Sequence, residues 1–323
     1  MRRQLLLLLL VVGVGHGEET WNQVERIVAV GDVHGGHDAF VDVLRNAKLI
    51  DAVGGWIGGR AHLVQTGDVM DRGADSRKTM ELLMALEKQA AKAGGYVHAL
   101  IGNHEAMNMY GDLRYVVQGE FAAFRGLESQ ALLEAAFARE TRRMMPKPDA
   151  VARAKWMSEH PLGWAEHRAA YQPQGRYGQW IRSHNAVVKI NGVLFMHGGI
   201  SPKYAEKSLQ EINEGVRAEL ADFSRLTDDG FVRGEDGPLW YRGIAQEDPA
   251  LVEHVGKMLK RYGARRIVIG HTSTPGRIVS LYGGTVVSID AGLGPVYGGH
   301  RMCLVLEGEG SYVLNGVQTT PLS

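Results

Sequence analysis

The chain has a single cysteine, Cys303, which excludes an internal disulfide framework and a thiolate-only zinc cage. It has no net charge either, since Lys plus Arg and Asp plus Glu each total 36. Proteins that wrap nucleic acid carry a basic excess, so nucleic acid is not an expected partner. The apolar run Leu5–Val14 stops after ten residues, well short of the roughly 20 needed to span a bilayer. No internal repeat or low-complexity linker is present. Two residue types are abundant instead. Glycine occurs 42 times in 323 residues, nearly double the roughly 7% that is usual, and there are 13 histidines.

The N-terminus has the pattern of an export signal. Arg2 and Arg3 precede the leucine-rich run, and Gly15 and Gly17 occupy the −3 and −1 places of a cleavage after Gly17. A buried strand or helix is the competing reading, but six leucines followed by Gly-rich sequence fit neither well. The expectation is a signal peptide over 1–17, a periplasmic or secreted mature chain over 18–323, and no stable membrane insertion after cleavage.

Short apolar runs repeatedly end at a glycine followed by a polar residue. Arg26–Val30 precedes Gly31-Asp32, Ala61–Gln65 precedes Gly67-Asp68, and Tyr96–Ile101 precedes Gly102-Asn103. Val193–Met196 precedes His197-Gly198-Gly199, and Arg265–Ile269 precedes Gly270-His271. Such runs read as buried strands, and functional residues at their carboxyl ends are the habit of α/β enzymes. Asp38 is the expected cap of a helix carrying Phe40, Val43 and Leu44, and Arg77–Lys92 reads as a helix stopped by Gly94-Gly95. From about Tyr110 to Trp180 the pattern turns helical, over Glu120–Arg143 and Asp149–Tyr171, and predicts an inserted helical cap over 110–180. Beyond it, Ala186–Ile190 and Val193–Met196 flank Asn191-Gly192 as a hairpin. Further strands are expected at Arg277–Leu281, Thr285–Ile289, Met302–Leu306 and Tyr312–Leu314.

Each polar cluster has an ordinary explanation when taken alone: a turn aspartate, a surface ion pair, a helix cap, or a histidine satisfied by a carbonyl. Together they have a single chemical one. Two divalent cations about 3.5–4 Å apart need a bridging carboxylate, neutral imidazoles and oxygen donors. Asp32, His34, Asp68, Asn103, His197 and His271 supply that set. A water held between two cations loses a proton near neutral pH and attacks phosphorus in line. Arg72, four residues after Asp68, is placed to meet the phosphoryl charge with paired hydrogen bonds. His104, beside Asn103, is the expected proton donor to the leaving oxygen, with Asp71 orienting it.

Gly31-Asp32-Val33-His34-Gly35, Gly67-Asp68-Val69-Met70-Asp71-Arg72-Gly73, Gly102-Asn103-His104-Glu105 and His197-Gly198-Gly199 resemble, in order, the GDxHG, GDxVDRG, GNHE and HGG motifs of the phosphoprotein phosphatases. Gly270-His271 supplies the last ligand of that pattern. The resemblance spans residues 31 to about 271. It implies a mixed α/β (α+β) fold, a calcineurin-like metallophosphoesterase β-sandwich flanked by helices, here with the helical cap. Met70 replaces the usual valine at an apolar position tolerant of volume change. Met107-Asn108, Arg114-Tyr115-Val116, Phe121, Phe124 and Gly237-Pro238-Leu239-Trp240-Tyr241-Arg242 look like the bacterial Shewanella-like branch, which makes Arg242 the second phosphate-binding arginine. Asn103 is expected to face the phosphate as well as a metal. Tyr297 is a candidate substrate contact.

The expected activity is phosphomonoester hydrolysis on phosphoproteins, with a lean to phosphotyrosine. Hydrolysis of dinucleoside polyphosphates or other small phosphate esters is the alternative, although symmetrical dinucleoside tetraphosphatases usually carry GNHD. Manganese is the expected ion, and iron or zinc suit the same ligands. The remaining histidines, among them His37, His62, His98, His160, His167, His184, His254 and His300, lack ligand spacing and read as structural or exposed. Trp156, Trp164 and Trp180 read as cap core, and Cys303 as a small buried hydrophobe.

Overall fold

A computed structural model describes residues 18–322, so the expected leader over 1–17 lies outside the described residues. Among the described residues the first strands are β1 (Thr20–Trp21), β2 (Arg26–Val30), β3 (His62–Gln65), β4 (Tyr96–Ala99), β5 (Val187–Ile190) and β6 (Val193–Met196). They are followed by β7 (Arg266–Ile269), β8 (Val279–Leu281), β9 (Val286–Ser288), β10 (Met302–Glu307), β11 (Gly310–Asn315) and β12 (Gln318–Pro321). The helices are α1 (His37–Asn46), α2 (Ser76–Lys92), α3 (Asn103–Tyr110), α4 (Gln118–Ala122) and α5 (Ser129–Thr141). Then come α6 (Ala150–Glu159), α7 (Trp164–Tyr171), α8 (Arg176–Arg182), α9 (Leu209–Ala221) and α10 (Val252–Tyr262).

The strands form two sheets, ordered β1-β5-β6-β7-β9-β8 and β12-β11-β10-β2-β3-β4. Alternation along each strand explains how they pack. Ile27 and Ala29 of β2, Phe195 of β6, Val268 of β7, Val287 of β9 and Leu304 of β10 meet in one apolar layer between the sheets. Their strand neighbours face outward: Val28, Val30 and Val305 toward one helical layer, Leu194, Ile267 and Ile269 toward the other. The result is a β-sandwich covered by helices on both outer faces. Cys303 is buried in β10, as an apolar residue would be.

Within each sheet three neighbouring strands run parallel: β2, β3 and β4 in one, β6, β7 and β9 in the other. Their carboxyl ends carry the polar turns singled out in the sequence. The expected hairpin closes β5 onto β6, with Asn191 at φ 50° and Gly192 at φ 72°.

The structure corrects three local expectations. Asp38 lies inside the first turn of α1, which begins after Gly36 without a side-chain cap. The two long helices of the insertion are broken into shorter ones, and Gly163, at φ 97°, forces the break before α7. Trp180 does not join Trp156 and Trp164. It donates to Glu87 on α2, whereas Trp156 and Trp164 pack around His160.

Candidate active site

Turns that follow β2, β3, β4, β6 and β7 deliver the predicted residues to one place. Backbone geometry shows how tightly they are aimed. Ten described non-glycine residues have positive φ, and His34, Asp68, Asp71, Arg72 and His271 are five of them. Such conformations are costly and persist only where surroundings hold them. Gly67 relieves one crowded point: at φ 97°, a Cβ there would stand 2.6 Å from the backbone nitrogen of Gly102.

Asp68 is the centre. Its Oδ1 accepts the His104 N–H at the start of α3 at 2.9 Å. That leaves Oδ2 facing His197 Nε2 at 3.3 Å, His104 Nε2 at 3.7 Å and His34 Nε2 at 3.8 Å. Asp32 lies beside it, with Oδ2 3.9 Å from His34 Nε2 and Oδ1 accepting the His271 N–H at 3.0 Å. Asn103 Oδ1 lies 2.9 Å from His197 Nε2. The imidazole nitrogens and carboxylate oxygens fall into two clusters that share Asp68, one with His34 and His104, the other with His197 and His271.

The imidazoles are oriented from behind. His34 Nδ1 donates to the Met70 carbonyl at 3.0 Å, His197 Nδ1 to Thr66 at 2.8 Å, and His271 Nε2 to Trp240 at 3.1 Å. A carbonyl only accepts, so each bond fixes a proton on one nitrogen and turns the other nitrogen inward. Burial pulls His34 down to about 3 and His271 to about 2, so both are neutral near pH 7.

The carboxylates tell the opposite story. Burial, then the charges of Asp290 and Asp68, hold the Asp32 carboxyl well above its ordinary range. Burial also raises Asp290, to about 6. Burial would raise Asp68 too, but the His197 and His104 imidazoles overcome it and keep that carboxyl well below its ordinary range. Buried acids crowded beside imidazoles suit divalent cations: His34 and His271 are neutral, and His197, which burial would lower, is raised on balance by the Asp68 charge. His197 Nε2 lies 2.9 Å from the Asn103 oxygen and 3.3 Å from Asp68 Oδ2, so a cation among these three atoms would take the place of the proton that the acids otherwise draw onto that nitrogen.

His104 differs from the other histidines. Its Nδ1 donates to Asp71 Oδ2 at 2.5 Å, and Asp71 Oδ1 accepts from Asn108 Nδ2 at 2.9 Å. Burial lowers the His104 pKa, but the charges of Asp68 and Asp71 outweigh it and the net shift is upward. Its Nε2 lies 3.3 Å from Arg72 Nη2. What sets His104 apart from His34, His197 and His271 is the carboxylate behind it, where each of the others is backed by a main-chain carbonyl.

These groups line a cavity of about 160 Å³ whose wall includes His34, Asp68, Arg72, Asn103, His104, Arg242 and His271. Asp32 and His197 lie buried beneath it and Asp71 behind His104. Arg242 reaches the cavity with Nη1 donating to the His271 carbonyl at 2.8 Å. Tyr297 stands on the wall, as do Tyr115, Trp240 and Asp290.

Four contributors carried no role in the sequence reading. Glu105 accepts the N–H groups of Asp68 at 2.8 Å, Val69 at 2.8 Å and Gly102 at 2.7 Å, tying the turn after β3 to the turn after β4. Asn108 lies four residues after His104, a helical spacing that would have placed both on one face of α3. Asp290 follows β9 as Asp68 follows β3, the same strand-end signal in a weaker setting. Tyr115 stood out only as part of Arg114-Tyr115-Val116, with nothing to place it at the site.

The calcineurin-like phosphoesterase family model matches residues 25–275. The chain is 34% identical over 288 residues to an uncharacterised protein of Schizosaccharomyces pombe, covering 86% of this chain and 76% of the relative. It is 30% identical over 291 residues to Shewanella-like protein phosphatase 2 of Arabidopsis thaliana, covering 83% of this chain and 71% of that one. Among solved structures it resembles the cold-active protein-tyrosine phosphatase of a psychrophilic Shewanella species. That match has a TM-score of 0.74 and 29% identity, over 96% of this chain and 84% of the other. Strand-end ligands, a two-sheet scaffold and these relatives agree: the chain belongs to the calcineurin-like phosphoesterases, in the Shewanella-like branch of the phosphoprotein phosphatases, and is a metal-dependent phosphatase.

Proposed function

We propose that the chain hydrolyses phosphomonoesters on proteins, with phosphotyrosine preferred. The observation that carries this reading is one small cavity in which imidazoles gathered around Asp68 face two arginines, with one of those imidazoles, His104, held by a carboxylate. Asp32, His34, Asp68, Asn103, His197 and His271 would hold two divalent cations, with manganese the expected ion. When bound, such a pair supplies an acidified water and charge for the phosphoryl oxygens.

The remaining work falls to the protein. Arg72 and Arg242 orient the phosphate and meet its charge, and the Asn103 side chain stands beside them. His104, protonated at Nε2, gives its proton to the leaving oxygen. Asp71 keeps the Nδ1–H in place and Asn108 holds Asp71 in turn. The lean to phosphotyrosine rests on the aromatic walls, Tyr115, Trp240 and Tyr297, which suit a flat leaving group, and on the similar Shewanella enzyme described as a tyrosine phosphatase.

Rates on phosphotyrosine peptide, phosphoserine peptide and diadenosine tetraphosphate, measured side by side with manganese, test the reading. The phosphotyrosine peptide is expected to give the highest kcat/KM. Preference for the dinucleotide would overturn the protein-phosphatase assignment, and preference for phosphoserine the tyrosine lean alone.

A further inference from the structure

The structure assigns Tyr115 and Tyr297 as positioning residues for Arg72, a pair of aromatic faces that hold the phosphate-directed guanidinium without neutralising it. This rests on the reading of Arg72 as a phosphate ligand. Arg72 Cζ lies 4.7 Å from the centroid of the Tyr115 ring and 5.3 Å from that of Tyr297. The arginine also donates its backbone N–H to the Tyr115 carbonyl at 3.0 Å.

An arginine that must bind phosphate faces a conflict. It needs a fixed orientation, yet a carboxylate that fixed it would occupy the N–H groups the substrate requires. Among the described residues, the Arg72 side chain meets these two rings and His104 Nε2. Its Nε is buried with no hydrogen-bond partner. An aromatic face attracts a cation through its quadrupole and leaves the edge of the guanidinium free. The bracket therefore orients the charge and leaves donors for phosphate.

The two rings come from distant parts of the chain. Tyr115 belongs to the segment after α3, at the start of the inserted helices, and Tyr297 to the loop between β9 and β10. Each also leans on a site histidine: Tyr115 lies 5.2 Å from the His104 ring and Tyr297 5.5 Å from the His34 ring, centroid to centroid. The Tyr297 loop reaches the site because Gly294 passes close to His34, where a Cβ would stand 2.8 Å from the histidine Cβ.

The test is calorimetric binding of inorganic phosphate to the manganese-loaded protein. Tyr115→Leu and Tyr297→Leu are each expected to weaken phosphate about three- to tenfold. The corresponding Phe variants, which keep the ring face, are expected to stay within about twofold of wild type. In an Arg72→Ala background the Leu changes are expected to have no further effect. Equal losses with and without Arg72 would mean that the tyrosines act on phosphate directly or through the fold, and would overturn the bracket. So would Leu variants that bind as wild type does, or Phe variants that lose as much as Leu. Arg72→Ala with unchanged phosphate affinity would instead strike the phosphate role of Arg72, on which the bracket rests. Tyr115 is 39% exposed and has no core to collapse, so its variants keep the test open even if a Tyr297 variant misfolds.

Discussion

At the scale of single residues, Asp68 Oδ2 and His104 Nε2 are 3.7 Å apart and are proposed to do different work. Asp68 offers one oxygen to the backbone of α3 and the other to three imidazoles, so Asp68→Asn keeps the first contact and weakens the second. That variant is expected to lose bound metal and, with it, turnover. His104→Asn removes a proton donor and leaves every proposed ligand in place. It is expected to keep its metal content and lose about 10²- to 10⁴-fold in kcat. The loss depends on the leaving group. Tyrosine leaves as a phenolate with a pKa near 10, whereas serine leaves as a far more basic alkoxide that needs the proton more. His104→Asn is therefore expected to damage phosphoserine hydrolysis more than phenyl phosphate hydrolysis. Metal analysis beside the two rate measurements decides the matter, and an empty metal site in His104→Asn would show that His104 is a ligand.

At the scale of elements, the inserted helices reach into the catalytic apparatus through Glu120 on α4. Glu120 Oε2 accepts the Asp71 N–H at 3.4 Å, and Oε1 is buried without a partner. Burial, then the Asp71 charge, pushes the Glu120 carboxyl up to about 8. A glutamate in the unfolded chain ionises near 4.3. Between that pH and about 8 the native state keeps a proton that the unfolded state has released, so stability falls as pH rises through this window. Glu120→Gln has no proton to lose. Its melting temperature relative to wild type is expected to climb by a few degrees from pH 5 to pH 8 and then level off. A difference that stays flat over that range would show an ordinary, ionised glutamate. Such a contact was beyond the sequence, which shows helical periodicity but not what a helix end touches. The strands that lead to the proposed metal site were legible because the apolar runs stop at a turn of glycine and a candidate ligand, as at Gly31-Asp32 and Gly67-Asp68. β1, two residues long, and β12, exposed throughout, have no apolar pattern to read. Glu105 was opaque for another reason: it binds backbone N–H groups, and those carry no side-chain signature.

At the scale of the whole molecule, the proposed ligands come from both halves of the sandwich. Asp32, Asp68 and Asn103 follow strands of one sheet, whereas His197 and His271 follow strands of the other. The apolar layer built on Ile27, Phe195, Val268 and Leu304 joins the sheets through their middle. At their carboxyl ends the junction is instead a group of buried acids, and Asp32 is raised first by burial and then by the Asp290 and Asp68 charges. Cations bound there would tie one sheet to the other and remove that repulsion in the same step. Metal is therefore expected to stabilise the entire fold rather than one loop. A ligand present at 100 times its Kd contributes about 2.7 kcal/mol. In a chain of this size that corresponds to a rise in Tm of roughly 4 °C. Manganese titrated into chelator-treated protein is expected to raise a single cooperative transition by at least this amount, saturating at two ions per chain. A transition indifferent to metal would show that the sandwich is held without the ions, and saturation at one ion would remove the second site.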